Sequence, residues 1–435
     1  MVEQKNLKIW NKPRLIKVQR PASLLELFFD IVVVALIGGI AHKLIFDVQN
    51  HSVGWVSMSF IILQTLSTLL VWRALTMYSI KFEVRDLRHR LVIFSCMFPM
   101  VLMASTGYAK GEVPDVYLVY LNLCSYGALM VSVSWIFISA AMSNKDDNFF
   151  FWYLMIKGIT RTISFLLITI SLIIPIAIDG TSNIVEDKWT KLITILWAVE
   201  FLIQLLGDLF SSMRRYTSHF PNISRHLLKE RFSILYIAFL GEIIIQIISS
   251  FAHHHDTESF VYLFASILQV FLMFWIYFDL LNYNDLKKSY KWIWIYSFIM
   301  LLMFFSMLFI SCGLSLAIKG FNEESVLLLL VGNLLYAGTS KIVLFSFNTF
   351  NKNKRYLEDS LFRIVVLVLW IAGLLVVISF TLVFKQEEIM IWGIITLEIT
   401  TIILTSVAMI KSKKKYLHMT IKEFEAQLPK TKNDW

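Results

Sequence analysis

The sequence predicts an all-α polytopic membrane protein of about twelve transmembrane helices, on three grounds. The composition is 57% hydrophobic and only 16% charged, with a mean hydropathy of +0.67, which is outside the range of soluble globular chains. Apolar runs of membrane-crossing length recur along the whole chain, separated by short polar loops. Lys and Arg concentrate in alternate loops. Runs of this length overshoot the strands of a barrel, so helices are the expected spanning elements.

A bilayer core of ~30 Å needs about 20 residues of helix. Twelve stretches qualify: 23–46, 53–80, 89–109, 114–142, 149–178, 189–211, 230–252, 258–281, 291–319, 323–348, 361–384 and 388–410. A basic polar tail, 1–22, precedes the first and ends at Arg20-Pro21. It has no short apolar segment with a small-residue cleavage site, so no signal peptide is expected. Behind Pro21, Ser23-Leu24-Leu25-Glu26 has the spacing of a capping box that starts the first helix. Pro99 and Pro175 fall inside the third and fifth spans, where proline can break a helix beside a cavity. The stretch 212–229 forms a basic loop at mid-chain, and 411–435 a basic tail.

Charge assigns the topology. With a cytoplasmic N-terminus, and with residues in the first or last four positions of a span counted with the adjoining loop, the inside segments hold 6 Lys/Arg before the first span, then 4, 1, 5, 3 and 4 in the even-numbered loops and 7 in the C-terminal tail. That is 30 of 40 basic residues, against 6 in the odd-numbered loops: Lys43, Lys110, Lys188, Lys191, Lys319 and Lys385. The asymmetry places both termini in the cytoplasm of a cell-membrane protein. Arg214-Arg215, Lys352, Lys354-Arg355 and the basic run from Lys411 to Lys415 then face the anionic headgroups of the inner leaflet. The net charge of +9 is thereby explained without a nucleic-acid partner.

A shift of about 204 residues lays Glu26-Leu27-Phe28 over Glu230-Arg231-Phe232, with Trp72 near Trp275 and Glu200 near Glu398. With an even number of spans, this suggests two parallel six-helix halves, 23–211 and 230–410. Cys96, Cys124 and Cys312 all lie in spans without a CxxC partner, and read as packing residues rather than a disulfide or zinc framework. His253-His254-His255 reads as a polar loop rather than a metal site. No Walker A, GxGxxG, HExxH or GxSxG pattern occurs, so neither a cofactor, a metal nor a known enzyme class gains support.

Charges inside the spans are the remaining pointer to mechanism, because each is costly in hydrocarbon unless compensated. Glu26 and Asp30 lie one turn apart on the first span. Glu26 can finish the helix N-terminus as a cap or join a functional network; Asp30 is one turn too deep to cap and is expected to pair with Arg73 or Lys341. At 1.5 Å per residue, Asp30 and Arg73 sit roughly 10 Å inside the cytoplasmic boundary, and Arg161, Glu200, Glu242 and Glu398 roughly 16–18 Å. Glu242 stands alone on an apolar helix, as a proton carrier or as an ion-pair partner of Arg161. Asp208 and Asp279, near cytoplasmic helix ends, are expected to pair with loop Lys or Arg. His42 reads as an interfacial polar residue.

Two segments carry a resemblance. LLELFFDIVVVALI, with Glu26, Phe28, Phe29 and Asp30, and HLLKERFSILYIAFLGEIII, with Glu230, Arg231, Phe232, Gly241 and Glu242, resemble the two signatures of the bacterial low temperature requirement A family. The flanking spans match in length and hydropathy, so the resemblance covers most of the chain. Ser233 stands where the family often has Gly after ERF, and Ile243 where it often has Ser after LGE. The resemblance implies a membrane protein needed for growth in the cold and carries no molecular activity with it.

Three function classes follow. A proton- or ion-coupled transporter of a small solute accounts for buried charges of both signs and for the internal repeat, and is the leading reading. A non-catalytic homeostasis or sensor protein would use the charges for helix association alone. An intramembrane lipid-modifying enzyme would place carboxylates near headgroups but lacks a nucleophile or metal constellation.

Overall fold

A computed structural model of the chain describes residues 22–82, 87–180, 184–213, 225–252, 256–281, 290–320 and 323–348, together with 372–373, 376–377, 391–400 and 403. Among the described residues, ten helices are long and apolar enough to cross a membrane, which makes this an all-α membrane protein. They are α1 (Leu24–Gln49), α2 (Trp55–Lys81), α3 (Leu87–Tyr108), α4 (Asp115–Ser143), α5 (Asn148–Asp179), α6 (Asp187–Met213), α7 (Arg225–Phe251), α8 (Thr257–Trp275), α9 (Tyr290–Lys319) and α10 (Glu323–Asn348). Each coincides with one of the first ten predicted spans to within a few residues. The seventh begins earlier, at Arg225, and the eighth ends in a π-helical turn, Ile276–Leu281. Of the last two predicted spans, only the helix Ile391–Thr400 and five neighbouring residues belong to the described set, so the count of twelve lies outside the described residues. So do the tails 1–21 and 411–435 and the histidine run at 253–255.

Two of the sequence expectations are corrected here. Pro99 and Pro175 ride inside continuous helices rather than breaking them; each removes a single backbone donor, which a packed span tolerates. Cys96 and Cys312 are buried as expected, but Cys124 is exposed on the outer face of α4.

The chain forms two compact units, Met1–Val270 with Asp285–Val343, and Phe271–Asn284 with Leu344–Trp435. In the first unit α1 packs against α2, α3, α7 and α9, and α9 against α1, α2, α6 and α7. Helices that are apolar on every side belong at the centre of a bundle. The Val32 to Val34 run of α1 and the Met303 to Phe305 run of α9 are accordingly buried throughout. α5 is peripheral instead: Ile159, Ile163, Leu166, Ile170 and Ile173 form an exposed stripe at helical spacing. α1 and α3 touch backbone to backbone. A Cβ at Gly107 would collide with the carbonyl of Gly39, and one at Gly39 with the backbone of Ala104.

Candidate functional site

Among the described residues, the intramembrane charges of the first unit fall into clusters, and a cavity opens beside them. The first cluster is built on the N-terminal turn of α1. Ser23 Oγ accepts from the Glu26 backbone N–H at 3.3 Å and Glu26 Oε2 accepts from the Ser23 N–H at 2.8 Å, which is the capping box predicted from sequence. Glu26 also faces inward, with Oε1 3.4 Å from Arg231 Nη1. Asp30, at 0% exposure, accepts from Trp72 Nε1 at 2.7 Å, Arg231 Nε at 2.8 Å and Arg231 Nη2 at 2.6 Å. This is a bidentate guanidinium–carboxylate pair with an indole as third donor. Arg231 Nη1 also reaches Ser79 Oγ at 3.4 Å. Phe232 packs edge-on against Trp72 at 5.3 Å between ring centres. Phe29 is buried, while Phe28 faces outward at half exposure.

The expected partners Arg73 and Lys341 are thus replaced by Arg231. Rotation of α2 explains it: successive residues on a helix diverge by about 100°, so Trp72 faces α1 and α7 while Arg73 points elsewhere.

Arg73 belongs to the second cluster, between α2, α5, α6 and α9. It donates from Nη1 to Asp208 Oδ2 at 2.8 Å and from Nε to Ser297 Oγ at 2.8 Å, and its guanidinium lies 5.2 Å from the Trp294 ring centre. Lys157 Nζ takes the other oxygen of Asp208 at 2.7 Å. The described partners of Asp208 are therefore two intramembrane cations rather than loop residues. Two turns along α6, Glu200 accepts from Ser67 Oγ and Tyr126 Oη, both at 3.0 Å, and from Gln204 Nε2. Gln204 also donates to Tyr126 Oη at 3.0 Å, and the Tyr126 ring stacks on Trp197 with centres 4.4 Å apart.

Consecutive helices α5 and α6 run antiparallel, so the register that sets Lys157 opposite Asp208 puts Arg161 opposite Gln204, between the two carboxylates. Its charge acts on both Glu200 and Asp208. Arg161 is 1% exposed, and its Nε and Nη1 are buried without a hydrogen-bond partner among the described residues.

Glu242 anchors the third cluster. It accepts from Tyr108 Oη at 3.3 Å and Gln246 Nε2 at 2.9 Å and lies against Gly38 of α1. It is neither solitary nor paired with Arg161. The cause is packing: α7 sits against α1, α2 and α9, whereas α5 sits against α4 and α6. His42 Nδ1 lies 3.2 Å from the Gly107 carbonyl, tying α1 to α3. Of the other motif residues, Glu230 keeps one buried carboxylate oxygen without a hydrogen bond among the described residues, and Gly241 has open space beside its Cα. Glu398 is buried on Ile391–Thr400, in the second unit. The side chain of Asp279 lies outside the described residues.

A cavity of about 580 Å³ opens at the end of the bundle opposite the α1 N-terminus. Its lining includes Lys43 and Asp47 of α1, Trp55 and Phe60 of α2, and Thr106 and Asn122 at the α3 and α4 side. Asn122 lies one turn above Tyr126 on α4, so the cavity floor adjoins the Glu200 cluster.

Sequence reasoning left Lys157, Gln204, Tyr126 and the cavity out of the candidate set. A signal for the first two was present: Lys157 and Arg161 on α5, and Glu200, Gln204 and Asp208 on α6, recur every four residues and so share one helix face.

Ten membrane-length helices that bury carboxylates, guanidiniums and an ammonium in hydrogen-bonded clusters define a polytopic membrane protein with a polar interior. The model of the bacterial low temperature requirement A protein family, LtrA, matches residues 21–415, nearly the whole chain. The chain belongs to that family. No curated protein and no solved structure matches it significantly.

Proposed function

We propose that this LtrA family member is a proton- or ion-coupled transporter of a small solute in the cytoplasmic membrane, supporting growth in the cold. The observation that carries this reading is a file of polar groups running along the bundle. It descends from the cavity through Asn122, Tyr126 and Glu200 to Arg161, and on to Asp208, Lys157 and Arg73. Buried polar groups in sequence across a span are expensive, and ion or proton pathways are their usual use. With the termini inside, as the Lys/Arg asymmetry implies, the cavity faces outward and the basic loops meet anionic headgroups. Glu200 is the group best placed to carry a proton, because hydroxyl and amide donors contact it directly and Arg161 acts on it at longer range.

The test is purified protein in liposomes loaded with a pH-sensitive dye, under an imposed pH gradient with amino acids, hydroxy acids and sugars outside. Wild type should move protons faster than empty vesicles, and Glu200→Gln should fall to the empty-vesicle rate while remaining monodisperse in detergent. Equal rates for wild type and empty vesicles would remove the transporter reading. The second reading, a homeostasis or sensor protein, is favoured by the saturated Asp30–Arg231–Trp72 contact, which has the form of a fixed structural pair.

A further inference from the structure

Arg161 carries donors that the protein leaves unspent. Its Nε and Nη1 are buried and have no hydrogen-bond partner among the described residues. The two carboxylates on the facing helix share the neighbouring groups unequally. Asp208 holds Arg73 at 2.8 Å and Lys157 at 2.7 Å. Glu200, two turns away, is met by the neutral groups Ser67, Tyr126 and Gln204. A buried guanidinium without a partner is costly. Of the two carboxylates its charge acts on, Glu200 is the one with no cation in contact among the described residues.

The surroundings of Glu200 suit a proton and no larger cation. Two hydroxyls and the Gln204 amide turn hydrogens toward the carboxylate. Trp197, stacked on Tyr126, adds an indole N–H without an acceptor among the described residues. Hard metal cations take six or more oxygen ligands. Among the described residues, no group of three or more His, Cys, Asp or Glu is placed to hold one. Glu200 and Tyr126 are 0% exposed and Gln204 is 1% exposed, so protein encloses the carboxylate. A proton needs one oxygen and no added volume. The cavity is near: Phe60 in its wall packs on Trp197 with ring centres 5.0 Å apart.

We propose that the ion exchanged at Glu200 is the proton alone, and that Arg161 is the internal counter-charge that pairs with the carboxylate once the proton has gone. The O–H bond of the carboxyl group breaks and the proton leaves to water in the cavity. The electron pair stays on the carboxylate, which then accepts from Arg161 Nε and Nη1. The charged and titratable groups around the site are Tyr126 from α4, Arg161 and Lys157 from α5, Asp208 from α6, and Arg73 and Lys81 from α2. α9 contributes Ser297. This rests on the reading of the protein as a proton- or ion-coupled transporter, and names the ion and the residue that governs its release.

Infrared titration of the full-length protein in detergent reads the protonated carboxyl of Glu200 directly, as the carbonyl band that Glu200→Gln removes. In Arg161→Gln that band should persist to a pH about one unit higher or more, a gain of about tenfold in proton affinity, because the nearby positive charge is gone. Arg161→Lys keeps the charge and should titrate close to wild type, which separates charge from shape. In liposomes, wild-type proton flux should be the same in sodium, potassium or choline salts, and a sodium or potassium gradient at equal pH should drive none. The salt comparison needs no variant, so it decides even where Arg161→Gln does not fold. A Glu200 band absent throughout the titration, or one that titrates alike in wild type and Arg161→Gln, would overturn the inference. Flux driven by a sodium or potassium gradient would overturn it too, while leaving the transporter reading in place. A band that titrates as expected in protein without liposome flux would keep this site and remove that reading.

Discussion

Asp30 and Arg231 satisfy each other in a place water does not reach. Asp30 receives three donors, and Arg231 spends its remaining nitrogen on Ser79 and Glu26. The second carboxylate does not leave an uncompensated charge at depth, since Glu26 sits on the first turn of α1, where the helix dipole favours an anion. Removing one partner strands a buried ion, at about 3–5 kcal/mol. Asp30→Asn should fall near the lower end, because Glu26 still faces Arg231. Arg231→Gln should cost more, having two carboxylates to abandon. In thermal unfolding of the purified protein, the Asp30→Asn/Arg231→Gln double variant should recover part of the combined loss, while Asp30→Asn with Arg73→Gln should give additive losses. Additivity in the first cycle would remove the pair. The charged residues themselves were legible in the sequence because a carboxylate in an apolar run stands out. Their pairing was not, because it depends on the rotation of α2 that separates Trp72 from Arg73.

At the scale of elements, glycine contacts set the distance between α1 and α3. Alanine raises helix propensity over glycine by about 1 kcal/mol, but at Gly107 the added methyl meets the Gly39 carbonyl, a backbone atom that cannot rotate aside. Overpacking costs of about 1–3 kcal/mol should therefore win, and Gly107→Ala should lower the melting temperature in detergent. Gly241→Ala, where the methyl meets open space, should be neutral or stabilising by up to about 1 kcal/mol. If both substitutions behave alike, the close approach of α1 and α3 is not a structural requirement. Ten helices were readable from hydropathy alone, since length and apolarity are local properties. Which helices touch is not local. The four-residue recurrence of Lys157 and Arg161 against Glu200, Gln204 and Asp208 held that information for α5 and α6. No comparable pattern tied Glu242 to Tyr108, which meet across α7 and α3, 134 residues apart in sequence.

For the whole molecule, the side on which each loop lies follows from where its basic residues are and what they do. Three of the six lysines in the odd-numbered loops have local ion-pair partners: Lys110 with Asp47 and Asp115, Lys188 with Asp179 and Glu186, and Lys191 with Asp187. Ion pairing at the loop accounts for those three, and the cytoplasmic bias stands without Arg231, which is buried against Asp30: 29 against 6. Reporter fusions should accordingly place Asn183 and Glu258 outside and the N-terminus inside. Ten crossings return the chain to its starting side after α10, so the C-terminus reports the parity of whatever follows. Two further spans, over 361–384 and 388–410, put Glu387 outside and the C-terminus inside. A C-terminal reporter found outside would mean that an odd number of those two crosses. With the basic tail 411–435 then on the wrong face of the membrane, the positive-inside assignment would have to rest on the loops before Asn348 alone.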